Sequence, residues 1–191
     1  MRARYWILIV VAAMACCVAS SGQADSSGGS AFPLKKGAVW TYAVHSHASK
    51  ATSAQIKVVD VASPGTWKLQ WNGSPVEATL NADGVLLREL RHVGAAGLPK
   101  IVPMADLRWA GATTWKDATI SGCSPYDIHG TREADEAIDV PAGHFNCVQI
   151  VNLGLVKETY WLARGTGIVK KVYADPRGPE EWTLQSYSEK K

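Results

Sequence analysis

The side chains of this 191-residue chain that could do chemistry fall into three groups: tryptophans, ligand-forming Cys and His, and a short run of carboxylates. The tryptophans are the most unusual, eight against only two phenylalanines. Trp67, Trp71, Trp109, Trp115, Trp161 and Trp182 could line a concave face that holds an acyl chain, a sugar or another apolar small molecule. Trp67 and Trp71 share one face of a strand with Leu69, and with Trp161 they form the candidate ligand face. The same rings would serve as core in a sheet protein short of Phe, because strands favour aromatics.

His45 and His47 flank Ser46 and fall on one strand face, as two metal ligands could. Cys123, His129, His144 and Cys147 place ligand-type residues around one hairpin. Neither set has the C-x2-C or H-x3-H spacing of a metal centre, so no metal is expected. Asp135, Glu136 and Asp139 lie close in sequence, but an acid–base pair needs one carboxyl in an apolar pocket, whereas neighbouring carboxylates on a polar strand are ordinarily solvated. The chain has no G-x-S-x-G elbow, H-E-x-x-H helix, phosphate-binding loop or dinucleotide fingerprint. A non-enzyme without a cofactor is the expectation, and a hydrolase built on that acidic run the weakest alternative.

The N-terminus reads as an address. Arg2 and Arg4 precede an apolar run, Ile7–Ala15, and small residues follow, the order of a secretory signal. That run is too short to span a bilayer, which takes roughly 20 residues. Two cleavage sites compete. Ala13-Met14-Ala15-Cys16 has the form of a lipobox, in which Cys16 becomes the acylated first residue of a lipoprotein. Cleavage near Gly22-Gln23-Ala24 would instead release a soluble protein. The sequence thus divides into a signal over 1–15, a Cys anchor with a Gly/Ser tether over 16–31, and one domain over 32–188. An exported protein of the bacterial envelope is expected, an outer-membrane lipoprotein facing the periplasm, held to the membrane by its lipid. The formal charge of +3 falls by two when Arg2 and Arg4 leave. A near-neutral domain without a Lys/Arg run offers no footprint for nucleic acid.

Outside the cytoplasm, Cys123 and Cys147 form a candidate disulfide, worth roughly 3 kcal/mol in the chain-entropy picture. The register leaves the pairing open. With Pro141-Ala142-Gly143 as a hairpin turn, Cys147 faces residues near Glu136, so Cys123 would have to lie on a neighbouring strand.

The elements that must position these residues are strands. Trp40, Tyr42 and Val44 alternate against smaller neighbours and form a core face. Pro64-Gly65, Asn72-Gly73 and Asn81–Gly84 mark turns, with strands over Gln55–Ala62, Trp67–Trp71, Val76–Leu80 and Val85–Leu90. His92–Leu98 reads as a loop, Ile101–Met104 as a short strand broken by Pro103, and Leu107–Trp115 as an irregular connection feeding a strand that starts near Trp115. Tyr126–Val140 is polar enough for an edge strand. Phe145–Asn152, Val156–Ala163, Ile168–Ala174 and Glu181–Tyr187 complete the series. No segment has helical periodicity. The fold expected is all-β, an antiparallel meander of about eight to ten strands that curves to bury its apolar face.

Three stretches also carry a family resemblance. Phe32–Tyr42 (FPLKKGAVWTY), the VPAG-F-x-C hairpin with Val140, Pro141, Ala142, Gly143, Phe145 and Cys147, and the hairpin with Tyr160, Trp161, Gly165, Gly167 and Lys170 resemble TapB-like bacterial envelope proteins. Arg164 and Thr166 depart from that pattern, where the family has Pro and an apolar residue. The resemblance implies a half-barrel like that of the lipoprotein carriers LolA and LolB. It implies a protein that binds an apolar ligand or an envelope partner, or an assembly lipoprotein that acts through protein contacts.

Overall fold

A computed structural model describes residues 31–47, 49–93, 98–116, 128–154, 156–176 and 178–189. The described residues hold twelve strands and no helix: β1 (Val39–Ser46), β2 (Ser49–Ser63), β3 (Thr66–Trp71), β4 (Ser74–Leu80), β5 (Gly84–Val93), β6 (Leu98–Arg108), β7 (Thr114–Lys116), β8 (His129–Val140), β9 (Gly143–Leu153), β10 (Lys157–Ala163), β11 (Gly167–Asp175) and β12 (Gly178–Ser188). They form one open antiparallel sheet in the order β6-β5-β4-β3-β2-β1-β12-β11-β10-β9-β8-β7. Every pair is a sequence neighbour except β1 with β12, which joins two runs of hairpins at the centre.

Alternation explains the strands. In β1, Trp40, Tyr42 and Val44 point inward while Val39, Thr41 and Ala43 are half-buried. Leu69 and Trp71 do the same in β3. Asn72 and Gly73 take φ of 47° and 88°, the left-handed pair that a tight hairpin requires. Twelve strands replace the eight to ten expected because the weakest stretch was under-read. Pro103 does not interrupt β6: it sits in an edge strand, beside a register shift at Leu87/Arg88, where a missing N–H costs little. The connection expected over Leu107–Trp115 begins only after β6 ends at Arg108, and the strand expected near Trp115 is β7.

The sheet curves on itself. β6 packs against β8 and β9 although these stand near opposite ends of the strand order. The rings of Trp71 on β3 and Trp182 on β12 meet at 6.1 Å across two intervening strands. Inside lie Trp40, Tyr42, Ile56, Leu69, Leu87, Leu107, Ile150, Tyr160, Leu162, Ile168 and Leu184, all fully buried. Each aliphatic one contributes about 1.5–3 kcal/mol by leaving water.

Candidate functional site

The residues that carry the family resemblance converge, and what they build is structural. Phe32, Trp40 and Tyr187 stack at 5.1 and 5.0 Å between centroids. The Trp40 indole N–H donates to the Thr166 carbonyl, and the Tyr42 hydroxyl to that of Ile168 at 2.9 Å, so β1 holds the β10–β11 turn in place. Gly167 has φ 90°, and a Cβ there would stand 2.8 Å from the Phe32 ring. The other hairpin docks by its tip. The β11–β12 ladder ends at Lys170 and Thr183, which leaves the next carbonyl, Leu184, to accept the Ala142 N–H at 3.1 Å. Val140, Ala142 and Phe145 pack against the core from this tip, and Pro141 and Gly143 shape its turn, Gly143 with φ 137°. Gly165 serves the other turn with φ 71°.

The residues with chemistry to spare lie on the inner face toward the opposite ends of β10 and β11. Lys171 on β11 is 7% exposed, and cross-strand pairing sets it between Tyr160 on β10 and Trp182 on β12. Its ammonium lies 5.3 Å from the Tyr160 ring centroid, 5.6 Å from those of Trp71 and Trp182, and 5.8 Å from that of Tyr173. Glu158 holds it at 2.9 Å and also accepts the Tyr160 hydroxyl at 2.7 Å. Burial first, and the Glu158 charge second, push the Tyr160 phenol well above its ordinary range. Glu180 accepts the Trp182 indole N–H at 2.6 Å. The cage is therefore filled by the protein's own cation, and a ligand ammonium could enter only by displacing it.

One row further along the strands, pairing sets Trp115, Gly130, Asn152 and Glu158 side by side. The Trp115 ring covers Gly130 so closely that a Cβ there would meet it at 2.0 Å. Asn152 is 2% exposed; among the described residues neither its amide nitrogen nor its oxygen has a hydrogen-bond partner, nor does the Trp115 Nε1. Arg108 lies 5.4 Å from the Trp115 ring centroid and is clamped by the buried Asp106 at 2.8 Å.

The tryptophans expected to share a ligand face are divided. Trp71 belongs to the cage and Trp67 packs half-buried on the core. Trp161 lies on the outer face, opposite Tyr160 and Leu162, where its N–H donates to Glu136 at 2.8 Å and Lys170 stands 5.3 Å from its ring. Lys170 also pairs with Glu181 at 3.2 Å. Cys147 stands opposite Glu136, as the turn register requires, and is buried with a free thiol. Burial, then the charges of Glu136 and Asp135, push that thiol up to about 11. Cys123 and Cys16 lie outside the described residues. Asp135, Glu136 and Asp139 are exposed along β8, Asp139 2.8 Å from the His144 ring, so none of the three sits in an apolar pocket.

The sequence pattern missed Lys171, Glu158 and Asn152. A register shift between Trp161 and Leu162 puts Ile168 and Val169 both inside, so counting from the glycine turn gives no unique inward set. The available signal was cross-strand: Glu158 and Tyr160 of one hairpin arm face Tyr173 and Lys171 of the other.

No family model and no curated protein matches the chain. Two crystal structures resemble it in shape. One is of a candidate lipoprotein from Parabacteroides distasonis, at TM-score 0.48 and 13% identity over 84% of this chain and 99% of that one. The other is of a candidate exported protein with a YmcC-like fold from Bacteroides fragilis, at TM-score 0.43 and 13% identity over 84% of this chain and all of that one. Neither assigns a role to any residue here.

Proposed function

We propose that the chain is an exported lipoprotein of the bacterial envelope, anchored through Cys16, that binds an apolar ligand or partner segment against the inner face around Trp71, Trp182 and Tyr160. One observation carries this reading. An interior built for stability alone has no use for a Lys–Glu pair among four rings beside an amide without a partner among the described residues, since apolar residues there would stabilise at least as well. The TapB-like resemblance and the half-barrel plan of LolA and LolB agree with it, as does the Gly/Ser tether, which suits a domain held away from a membrane.

A second reading, an assembly lipoprotein acting through protein contacts, has its own support. The motif residues Trp40, Tyr42, Ala142 and Gly167 are spent on packing, as they would be in a module with a closed core. The hydrolase alternative loses its basis with the exposure of Asp135, Glu136 and Asp139.

Intact and native mass spectrometry of protein extracted from its own membranes tests the first reading. A mature mass starting at Cys16 with acyl groups, together with a co-purifying small molecule, is the expected result. A start near Asp25 would sink the anchor. No blue shift or quenching of Trp emission with any lipid or acyl probe would sink the ligand.

A further inference from the structure

We infer that the domain rests on a lipid bilayer by the pole at which its tether enters, with Val61, Trp67, Leu80 and Trp109 against the headgroup region; this rests on the Cys16 anchor of the reading above. Among the described residues two large apolar side chains stand open to solvent, Val61 and Leu153, each 48% exposed. They lie at opposite ends of the sheet. Leu153 closes β9 where β10 begins, whereas Val61 lies on β2 beyond the start of β1. Val61 also has company. It pairs across the ladder with the half-buried Trp67, which pairs in turn with the buried Ala78 of β4. The Leu80 N–H donates to the Gly65 carbonyl and the Trp109 N–H to that of Asp83, both at 2.9 Å. These bonds bring two more half-buried apolar side chains, Leu80 and Trp109, to the same rim.

The chain enters the domain at this pole. Ala31 and Phe32 are buried, the Gly37 N–H donates to the Val58 carbonyl, and the Val58 N–H donates to that of Ala38. From Val58, β2 runs on to Ser63 without a β1 partner, roughly 15 Å at strand spacing. A Gly/Ser tether of the length between Cys16 and Ala31 spans roughly 20 Å on average. An anchored domain therefore has this pole within reach of the headgroups. The charges around it are spent on each other, Lys36 with Asp60 at 2.9 Å and Lys35 with Glu189 at 2.7 Å. What remains at the rim is aliphatic and indole surface, the combination that collects at a bilayer interface. The tether alone lets the domain stand off the membrane; the rim draws it down. Contact of this kind needs no anionic lipid and withstands salt.

The test uses the acylated mature protein in phosphatidylcholine nanodiscs, with and without a doxyl-labelled lipid, and reads the tryptophan indole signals in 1H–15N spectra. The Trp67 and Trp109 signals should broaden severalfold more than that of Trp161 on the outer face, equally at low and high salt. Val61→Asp, at an exposed position, should lower the docked population about tenfold while the spectrum of the fold is kept. Leu153→Asp, at the far end, should change nothing. Acylated protein whose Trp67 and Trp109 broaden no more than Trp161 would overturn the docking and leave the anchor standing. Protein that carries no acyl group would overturn both. Broadening that salt abolishes, or that both Asp variants reduce alike, would overturn the apolar rim. Two copies per disc by native mass spectrometry, reduced to one by Val61→Asp, would make the rim a self-association surface and overturn the lipid contact.

Discussion

Lys171 and Glu158 pair on the inner face, and what that pair contributes to stability is measurable. Lys171→Met strands Glu158 in an apolar interior and should cost about 3 kcal/mol in urea denaturation. Lys171→Met with Glu158→Gln should recover most of that loss, because a neutral amide costs far less to bury than a lone carboxylate. If the double variant is as unstable as the single one, the pair is not the source of the cost. Cys147 gives a pH signature of known sign. Its thiol titrates in the fold at about 11 against an ordinary 9.0, so the folded state favours the protonated form. The stability this contributes is present below pH 9 and is lost as pH rises through 11. Comparison with Cys147→Ala isolates that slope from every other group. The thiol should also resist alkylation at pH 8 until the protein is unfolded.

The strands and turns show which part of the architecture could be read in advance. Gly165 and Gly167 both need positive φ, but only Gly167 faces the Phe32 ring. Alanine at 165 should cost about 1 kcal/mol for the left-handed backbone, and at 167 roughly 3 kcal/mol, because a ring must also move. Equal losses in thermal or urea melts would separate the Phe32 stack from the turn. Gly130→Ala should expel the Trp115 ring, shift Trp emission to the red and unpair β7, with the rest of the sheet intact by 1H–15N spectra. The turns were legible because Asn72-Gly73 and the Pro141–Gly143 and Gly165–Gly167 stretches carry chemistry that few other conformations accept. The β1 face was legible because Trp40, Tyr42 and Val44 alternate: the register shift at Thr41/Tyr42 skips Gln185 on β12 and leaves β1 in phase. The site was not, because bulges at Trp161/Leu162 and Arg132/Asp135 slip the register, and a slip of one residue exchanges the two faces. Asn152 in isolation reads as an ordinary polar residue near the end of a strand.

At the scale of the molecule, the sheet is two chains of hairpins joined by one long-range ladder, β1 with β12, in which Val39 pairs with Ser188. Those paired ends invite a rearrangement. Joining them through a short linker and opening the chain at Ala112 should give a protein whose strands all pair with their sequence neighbours. Its spectra should overlay on those of the parent, and it should refold faster, since the most distant pairing has become local. Unchanged refolding rates would show that the central ladder is not what limits folding. The same ladder has a consequence for biosynthesis. The first strand made must wait for the last before the middle of the sheet can close, so a partly synthesised chain holds at most two separate runs of hairpins, not yet joined. Such a nascent chain stays threadable until its final residues emerge, and a protein that crosses a membrane before folding gains time from that order of events.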